Sequence, residues 1–269
     1  MNKIFKINPV NPEKDLIGKA AEIIRTGGLV IFPTKCMYGI GADALNHKAV
    51  KRIFNLKHRP WNKPILVLAY YQLKILQKVS ALNSIKNSIR NHAENPAGTA
   101  DRQAENSAGR QGEHPADWQR PESLTGSRNR IDYLVKNIPL NAKLLMEKFW
   151  PGDLTIVFEA REYLPDILTS KTGKIGIRMP WHPVAKALIM ETDMPVTGTS
   201  ANISGMQGYS RIMDIEPEFL QGVDMILDAG RLKGGKGSTV VDVTVEPLRI
   251  LRKGEVSEDD IFSCIKQFH

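Results

Sequence analysis

The sequence predicts an α/β protein in which helices flank a twisted, mixed sheet. Short apolar runs, typical of buried strands, recur along the chain and alternate with segments whose apolar residues have helical spacing. Strands interleaved with helices indicate layered α/β architecture. Near the C-terminus several apolar runs follow one another with no helix between them, which favours a mixed sheet over a purely parallel one.

The first predicted helix begins near Asn11-Pro12, because an asparagine followed by a proline is typical of the first turn of a helix. Apolar residues recur at helical spacing over 16–24, and Gly27-Gly28 marks the C-terminal end. The continuous apolar run at 29–32 predicts a strand that is covered on both faces.

The remaining elements follow from the same patterns. A second helix is predicted at 47–56 and a second strand at 65–68. The last predicted helix starts with a capping box, Ser257 with Asp260 three residues later. The other predicted strands are 154–158, 175–179, 195–199, 223–227, 239–245 and 248–251. The other predicted helices are 141–149 and 183–191, and the helix with the capping box is 258–268.

One stretch interrupts the pattern, and we predict a single domain over 1–269 with a flexible low-complexity insertion at 81–135. Residues 92–130 are poor in aliphatic side chains, and the segment at 93–98 is imperfectly repeated at 104–109. Such a composition buries too little apolar surface to offset the entropy of ordering. A docking loop is the alternative interpretation.

The net charge of +8 is compatible with an anionic partner, such as a nucleotide or tRNA, but equally with a merely soluble basic surface. Residues 90–130 carry six arginines and six acids, so the surplus lies on the rest of the chain. The sequence holds no apolar run long enough to span a membrane and only two cysteines, too few for a disulfide framework. A cytoplasmic location is therefore expected.

Lys57 and Arg59 are candidate anion ligands. Pro60 disfavours helical geometry at Arg59, so the helix is expected to stop at about residue 56 or 57. In extended backbone, residues two apart point the same way, and the two cations would then converge on a triphosphate. A solvated helix end with cations near its negative pole is the alternative.

Two other segments could contact a ligand. Residues 197–205 are rich in hydroxyls, and we expect Ser200 and Asn202 to donate to phosphate or ribose, although a Ser/Thr-rich turn is equally compatible. Residues 33–43 follow the first strand and contain two glycines that would let a ligand approach the backbone, or simply form a tight turn.

Other chemistries are disfavoured. Residues 230–237 nearly match P-loop spacing, but Gly237 replaces the Ser/Thr that binds Mg²⁺, and a strand rather than a helix follows. The glycines there, with Lys236 and Ser238, could still contact a nucleotide in another geometry. The six histidines show no paired ligand spacing, and nothing in the sequence indicates an activated Cys36.

Four motifs in this order resemble the YrdC domain family, the L-threonylcarbamoyladenylate synthases, in its short single-domain form. They lie at 33–43, 57–64, 149–155 and 177–205, and residues 238–254 are similar to the family's closing strands. The resemblance implies a YrdC-like fold with a concave, basic active-site face. It also implies a nucleotidyltransferase that joins L-threonine, bicarbonate and ATP into threonylcarbamoyl-AMP and pyrophosphate.

The resemblance further implies a set of site residues and partners. A tRNA-modifying threonylcarbamoyl transferase complex would act downstream on the adenosine beside the anticodon. Mg²⁺ would arrive with ATP, with no metal ligand from the protein; no membrane is involved, and direct tRNA contact is left open. The implied catalytic residues are Lys57 and Arg59; the ATP-binding set is Lys57, Arg59, Lys63, Thr155, Ser200, Asn202, Ser238 and Arg252; the threonine-binding set is Thr34, Tyr38, Arg178 and Thr199.

The chain also departs from the family pattern. Lys35 and Cys36 stand where relatives often have an acid and a small hydroxyl residue, Asp153 replaces a frequent proline, and Leu68 a frequent histidine. These departures fall on the expected threonine pocket. A non-catalytic RNA-binding module on the same fold is the alternative function.

Overall fold

A computed structural model describes residues 3–70 and 131–266 of the chain. Seven α-helices lie in these ranges, two of them single turns, with 3₁₀ turns at Ile131–Tyr133 and Ile212–Asp214. The helices are α1 (Lys14–Arg25), α2 (His47–Leu56), α3 (Leu140–Phe149), α4 (Asp166–Thr169), α5 (Pro183–Thr192), α6 (Pro217–Gln221) and α7 (Glu258–Lys266).

The strands form two mixed sheets. In the first, β1 (Ile4–Lys6), β9 (Met225–Asp228), β2 (Val30–Pro33), β3 (Tyr38–Gly41) and β8 (Thr199–Ser200) are neighbours in that order. In the second, the order is β11 (Arg249–Arg252), β10 (Thr239–Asp242), β5 (Leu154–Glu159), β6 (Lys174–Arg178), β4 (Val67–Leu68) and β7 (Val196–Thr197). The prediction of mixed pairing is confirmed, but the strands divide between two sheets.

Each face of the first sheet is covered by its own apolar cluster. On one face α1 and α5 pack on the sheet, and their buried residues include Ile24 and Leu188. On the other face α2 contributes Val50 and Phe54, together with residues of 212–219. The continuous apolar run of β2 supplies both faces in alternation, so its burial on both sides is confirmed.

The predicted strand at 195–199 is in fact two strands in different sheets. The chain leaves β7 at Thr197 and enters β8 at Thr199, so Gly198 marks the crossing from the second sheet to the first. A Cβ on Gly198 would lie only 2.6 Å from Leu68 Cγ, which explains why glycine stands there. The crossing places Thr199 and Ser200 beside the space between the sheets.

The predicted glycine loop after β2 is largely a strand. Only residues 34–37 turn, and β3 then pairs antiparallel with β2. Gly41 is required by packing rather than by a ligand, since a Cβ there would lie 2.6 Å from Val196 Cγ1 and 2.7 Å from Phe32 Cε1.

Helix caps confirm one sequence prediction and correct another. Ser257 Oγ accepts a hydrogen bond from the Asp260 amide at 3.1 Å, as the capping box predicts. The prediction that α1 begins near Asn11-Pro12 is corrected, because the helix begins at Lys14 and its N-cap is Glu13. The Glu13 side chain instead accepts from the Asn8 amide at 3.0 Å and ties the incoming chain to the helix.

Residues 81–130 of the predicted insertion lie outside the described residues. The last five residues of that range, 131–135, belong to the folded body: Ile131, Tyr133, Leu134 and Val135 are buried. Val135 also forms an isolated bridge with Ala160.

Within the described ranges, no helix has both the length and the apolar character needed to cross a membrane.

Candidate active site

A cavity of about 790 Å³ opens between the two sheets, and all twelve predicted site residues line it. The first sheet contributes the loop after β2 and the strand β8, and the second contributes β4, β5, β6, β10 and β11. The end of α2 and the loop after it add further lining residues. The volume falls in the range of small-molecule and cofactor sites.

Lys57 is buried and acts on the protein backbone. Its side chain is only 1% exposed, and Nζ donates to the carbonyl oxygens of Ser200 at 2.5 Å and Asn202 at 2.7 Å. Burial, with a smaller contribution from the nearby charge of Arg59, lowers the pKa of Lys57 to about 7. The two motifs that the sequence singled out therefore touch each other directly, through lysine and backbone.

Arg59 also braces the loop beside it. Its Nε donates to the Lys63 carbonyl at 2.9 Å and its Nη2 to the Pro64 carbonyl at 2.6 Å. Helix α2 ends at Leu56 as predicted, but the expected extended backbone is wrong, since Lys57 is helical and His58 has a left-handed φ of 48°. Burial, and less strongly the charge of Arg252, lower the pKa of Arg59.

Asn202 offers an acceptor rather than the donor that the sequence predicted. Its Nδ2 donates to the carbonyls of Ile203 and Met206 at 2.7 and 2.8 Å, which fixes the orientation of the amide. Its Oδ1 is buried without a hydrogen-bond partner among the described residues, as is Ser204 Oγ nearby in the same loop. Buried polar atoms without a partner are rare in folded proteins, and a catalytic role or a bound ion or water accounts for some of them.

Arg252 reaches the cavity through a short chain of hydroxyls. Thr155 Oγ1 and Ser238 Oγ, both buried, lie 2.7 Å apart. The Arg252 guanidinium donates to the Ser238 carbonyl at 3.0 Å from Nε and 2.7 Å from Nη2, and Nη2 also lies 3.0 Å from Ser238 Oγ. Burial lowers the pKa of Arg252. Residues from β5, from β11 and from the position just before β10 thus meet at one point.

Arg178 is held at another part of the cavity by a carboxylate. Its Nε donates to the Gly152 carbonyl at 2.7 Å and its Nη2 to Asp153 Oδ1 at 2.5 Å. The other carboxylate oxygen, Oδ2, accepts from Lys35. Burial lowers the pKa of Arg178, while the hydrogen bond to Asp153 raises the pKa of Lys35. Two residues that depart from the family pattern, Lys35 and Asp153, are therefore partners.

Tyr38 does not offer its hydroxyl to the cavity. The side chain is fully buried, and its hydroxyl donates to the Gly230 carbonyl at 2.6 Å, accepts from the Ala229 amide at 3.0 Å and lies 3.1 Å from Asp228 Oδ1. Thr34 Oγ1 in turn donates to the Met37 carbonyl at 2.5 Å and shapes the turn. A direct contact of the Tyr38 hydroxyl with threonine is thus disfavoured by the geometry.

Positively charged side chains outnumber negatively charged ones in the lining of the cavity. Eight lysine and arginine residues and two carboxylates border the cavity, a formal excess of six positive charges that suits a polyanionic ligand. The cations are Lys57, Arg59, Lys63, Lys174, Arg178, Arg249, Arg252 and Lys253, and the carboxylates are Asp153 and Asp242. Asp242 pairs with Lys174 at 2.9 Å.

Sequence reasoning missed several lining residues. Asp242, Lys174 and Arg249 are separated by many residues along the chain and meet because β5 lies between β6 and β10, with β11 beyond it. Of the P-loop-like segment 230–237, Gly237 borders the cavity, and Gly235 has a φ of 111° that favours glycine. The glycines of this segment thus allow the backbone conformation. In the sequence, the only signal of a nearby anion site was the cluster of lysine and arginine residues within 230–237.

The described residues contain no group of three or more His, Cys, Asp or Glu side chains arranged to hold a metal ion. One oxygen of the lining that could face a hard cation is Asn202 Oδ1, which has no hydrogen-bond partner in the described part of the chain. An amide oxygen suits Mg²⁺ or a water bound to it.

A family model described as "Telomere recombination", for Sua5, YciO and YrdC, matches residues 22–98 and 123–254. The chain belongs to this family. It is similar over 246 residues, at 30% identity, to the threonylcarbamoyl-AMP synthase of Pyrococcus abyssi, covering 91% of this chain and 56% of that relative. A putative threonylcarbamoyl-AMP synthase of Methanocaldococcus jannaschii is 29% identical, with 98% of both chains covered.

Solved structures show the same Sua5/YciO/YrdC fold. The P. abyssi Sua5 complexed with L-threonine superposes with a TM-score of 0.73 at 29% identity, over 98% of this chain and 61% of that one. The YciO protein of Escherichia coli has a TM-score of 0.67 at 23% identity, over 97% of this chain and the whole of that one. The chain thus has the length of the short members and spans little more than half of the P. abyssi proteins.

Proposed function

We propose that this chain is an L-threonylcarbamoyladenylate synthase, which forms threonylcarbamoyl-AMP and pyrophosphate from L-threonine, bicarbonate and ATP. The observation that carries the proposal is the placement of three arginines in one cavity: Arg59 and Arg178 are half-buried, and Arg252 is exposed. Arg252 is close enough to both Arg59 and Arg178 that its charge contributes to lowering the pKa of each. Of these three arginines, Arg178 alone forms an ion pair with a carboxylate within residues 3–70 and 131–266.

This distribution of charge suits a bipartite substrate. The end with Lys57, Arg59 and Lys63 fits the phosphates of ATP, because the described residues place no carboxylate on Arg59. The other end, with Arg178 and Asp153, fits a group that carries both signs of charge, as an amino acid does. The charge of Arg252 acts on both Arg59 and Arg178, and we propose that the α-phosphate meets the carbamate beside it.

The chemistry requires mainly position and charge. The threonine amine, once it has lost its ammonium proton, combines with bicarbonate to give a carbamate and water. A carbamate oxygen then attacks the α-phosphorus while pyrophosphate leaves. Neutralising the charge that develops on the phosphate oxygens is the main contribution available to the protein. Arg252 is suited to that task, because three hydrogen bonds to Ser238 hold its guanidinium before any ligand binds.

Mg²⁺ bound with ATP would neutralise part of the triphosphate charge, and Asn202 Oδ1 is the protein atom suited to face it or its water shell. Lys57 would then position the phosphate-binding loop through the carbonyls of Ser200 and Asn202 rather than contact phosphate itself. We further propose that a threonylcarbamoyl transferase uses the product to modify tRNA adenosine.

The test is an incubation with ATP, Mg²⁺, L-threonine and bicarbonate, followed by mass spectrometry for threonylcarbamoyl-AMP and an enzymatic assay for pyrophosphate. Omission of any one substrate should abolish both products. Arg252→Met should lower the rate by about 10²–10³-fold, as loss of one charge-stabilising group does in other active sites. Arg211→Met is the matched control, since Arg211 is outside the cavity lining and pairs with Asp214.

If the wild-type protein binds RNA but forms no adenylate, the proposal is wrong and the RNA-binding module is favoured.

A further inference from the structure

Asp153 is the carboxylate that the cavity keeps at its amino-acid end. The residue lines the cavity and is 7% exposed. Its two oxygens are held separately, Oδ1 by Arg178 and Oδ2 by Lys35, so the carboxylate has a fixed orientation. Arg178 comes from β6 and Lys35 from the turn between β2 and β3, so the group joins the two sheets.

Asp153 and Arg178 can each form further hydrogen bonds. An ionised carboxylate can accept about four hydrogen bonds, and Asp153 accepts one on each oxygen from these cations. Among the described residues, Arg178 donates through Nε and Nη2, which leaves Nη1 for a ligand. A fixed donor and a fixed acceptor therefore lie side by side.

We propose that Asp153 receives the ammonium group of the amino-acid substrate while Arg178 receives its carboxylate, so that this part of the cavity selects an α-amino acid over a carboxylate that lacks the amine. This inference rests on the proposed function and names the substrate-recognising pair within it. Asp153 is a specificity residue, and Lys35 positions it through Oδ2.

The electrostatics predict opposite effects for the two partners. Lys35 and Arg178 against Asp153 leave one net positive charge, which suits one carboxylate. Removing the charge of Asp153 should weaken the binding of a ligand that carries an ammonium group and strengthen the binding of an anion without one. Removing the charge of Lys35 should do the reverse, because it frees Asp153 Oδ2 and lowers the local positive potential.

The experiment compares binding of L-threonine with binding of (2S,3R)-2,3-dihydroxybutyrate, in which a hydroxyl replaces the amine. Calorimetric titration of the wild-type protein, Asp153→Asn and Lys35→Met gives the ratio of the two affinities for each. Asp153→Asn should weaken threonine by about tenfold or more relative to the hydroxy acid, the scale of one lost charge-assisted hydrogen bond. Lys35→Met should shift the ratio toward threonine.

Asp242→Asn is the matched control, since Asp242 is another buried carboxylate of the same lining that pairs with a lysine. This substitution should leave the ratio at the wild-type value. An unchanged ratio in Asp153→Asn, or an equal shift in Asp242→Asn, overturns the inference, whereas threonine binding by the wild type leaves the proposed function standing. Wild-type protein that binds neither ligand overturns both. Should Asp153→Asn fail to fold, the Lys35→Met ratio alone decides.

Discussion

Replacing Lys57 with methionine separates two roles for this residue. A lysine that contacts phosphate directly could be removed at little cost to folding, since most substitutions without a structural mechanism fall within about 0.5 kcal/mol. A lysine that braces the Ser200–Asn202 loop should destabilise the protein when it is lost. The structure supports the second role, because Nζ donates to two backbone carbonyls and is fully buried.

The size of the destabilisation depends on which hydrogen bonds the carbonyls of Ser200 and Asn202 keep when Lys57 is replaced. The Ser200 carbonyl still accepts from the Asn202 amide at 3.0 Å, so its loss is one ordinary hydrogen bond, roughly 0.5–1.5 kcal/mol. The Asn202 carbonyl loses its partner in a buried setting, which costs roughly 1–3 kcal/mol. Removing a buried amine recovers part of this, and we expect Lys57→Met to lower the free energy of unfolding by about 1–3 kcal/mol.

Urea unfolding followed by tryptophan fluorescence measures that change. Lys63→Met is the control, because Lys63 lines the same cavity but is exposed, and we expect less than about 0.5 kcal/mol there. A Lys57→Met protein as stable as the wild type, with ATP binding lost, would refute the brace and restore direct phosphate contact.

Three further predictions follow from the site. Burial lowers the pKa of Lys57 to about 7, so the side chain loses its charge as the pH rises above that value. A bound triphosphate should raise this pKa, and the affinity for ATP should therefore fall, by up to about tenfold per pH unit, as the pH rises above about 7. Calorimetry should show that protons are taken up when ATP binds, and Lys57→Arg should make the ATP affinity less dependent on pH. A wild-type affinity that does not change with pH would contradict the link to Lys57. Gly198→Ala should weaken threonine binding but not ATP binding in titrations, because its Cβ would approach Leu68 Cγ to 2.6 Å, and equal losses for both ligands would contradict this. Ser238→Ala should lower unfolding free energy by roughly 1–3 kcal/mol and slow product formation, since Thr155 Oγ1 loses its buried partner; unchanged stability would argue against that pair.

Local pattern alone determined much of this protein. Helix α2 ends where Pro60 requires, and β2 is buried on both faces as its continuous apolar run predicted. The resemblance in sequence motifs brought together twelve residues, all of which line one cavity. The first two features depend on residues close in sequence, whose preferred backbone conformations the sequence encodes directly, whereas the twelve site residues came from the family resemblance.

The tertiary structure decided how those residues act. Lys57 and Arg59 do not converge through an extended backbone, because His58 adopts a left-handed conformation and both cations bind carbonyls instead. The Asn202 amide presents its oxygen because its nitrogen is held by the loop's own backbone. These hydrogen bonds depend on groups that the fold brings together, which secondary-structure propensity and hydrophobic periodicity do not specify.

The same reason applies to the amino-acid end of the cavity. In the sequence, Lys35 and Asp153 were two unrelated departures, 118 positions apart. Only the packing of the turn between β2 and β3 against the start of β5 makes them an ion pair beside Arg178. The sequence determined which charges are present, and the fold decided which charge each of them neutralises.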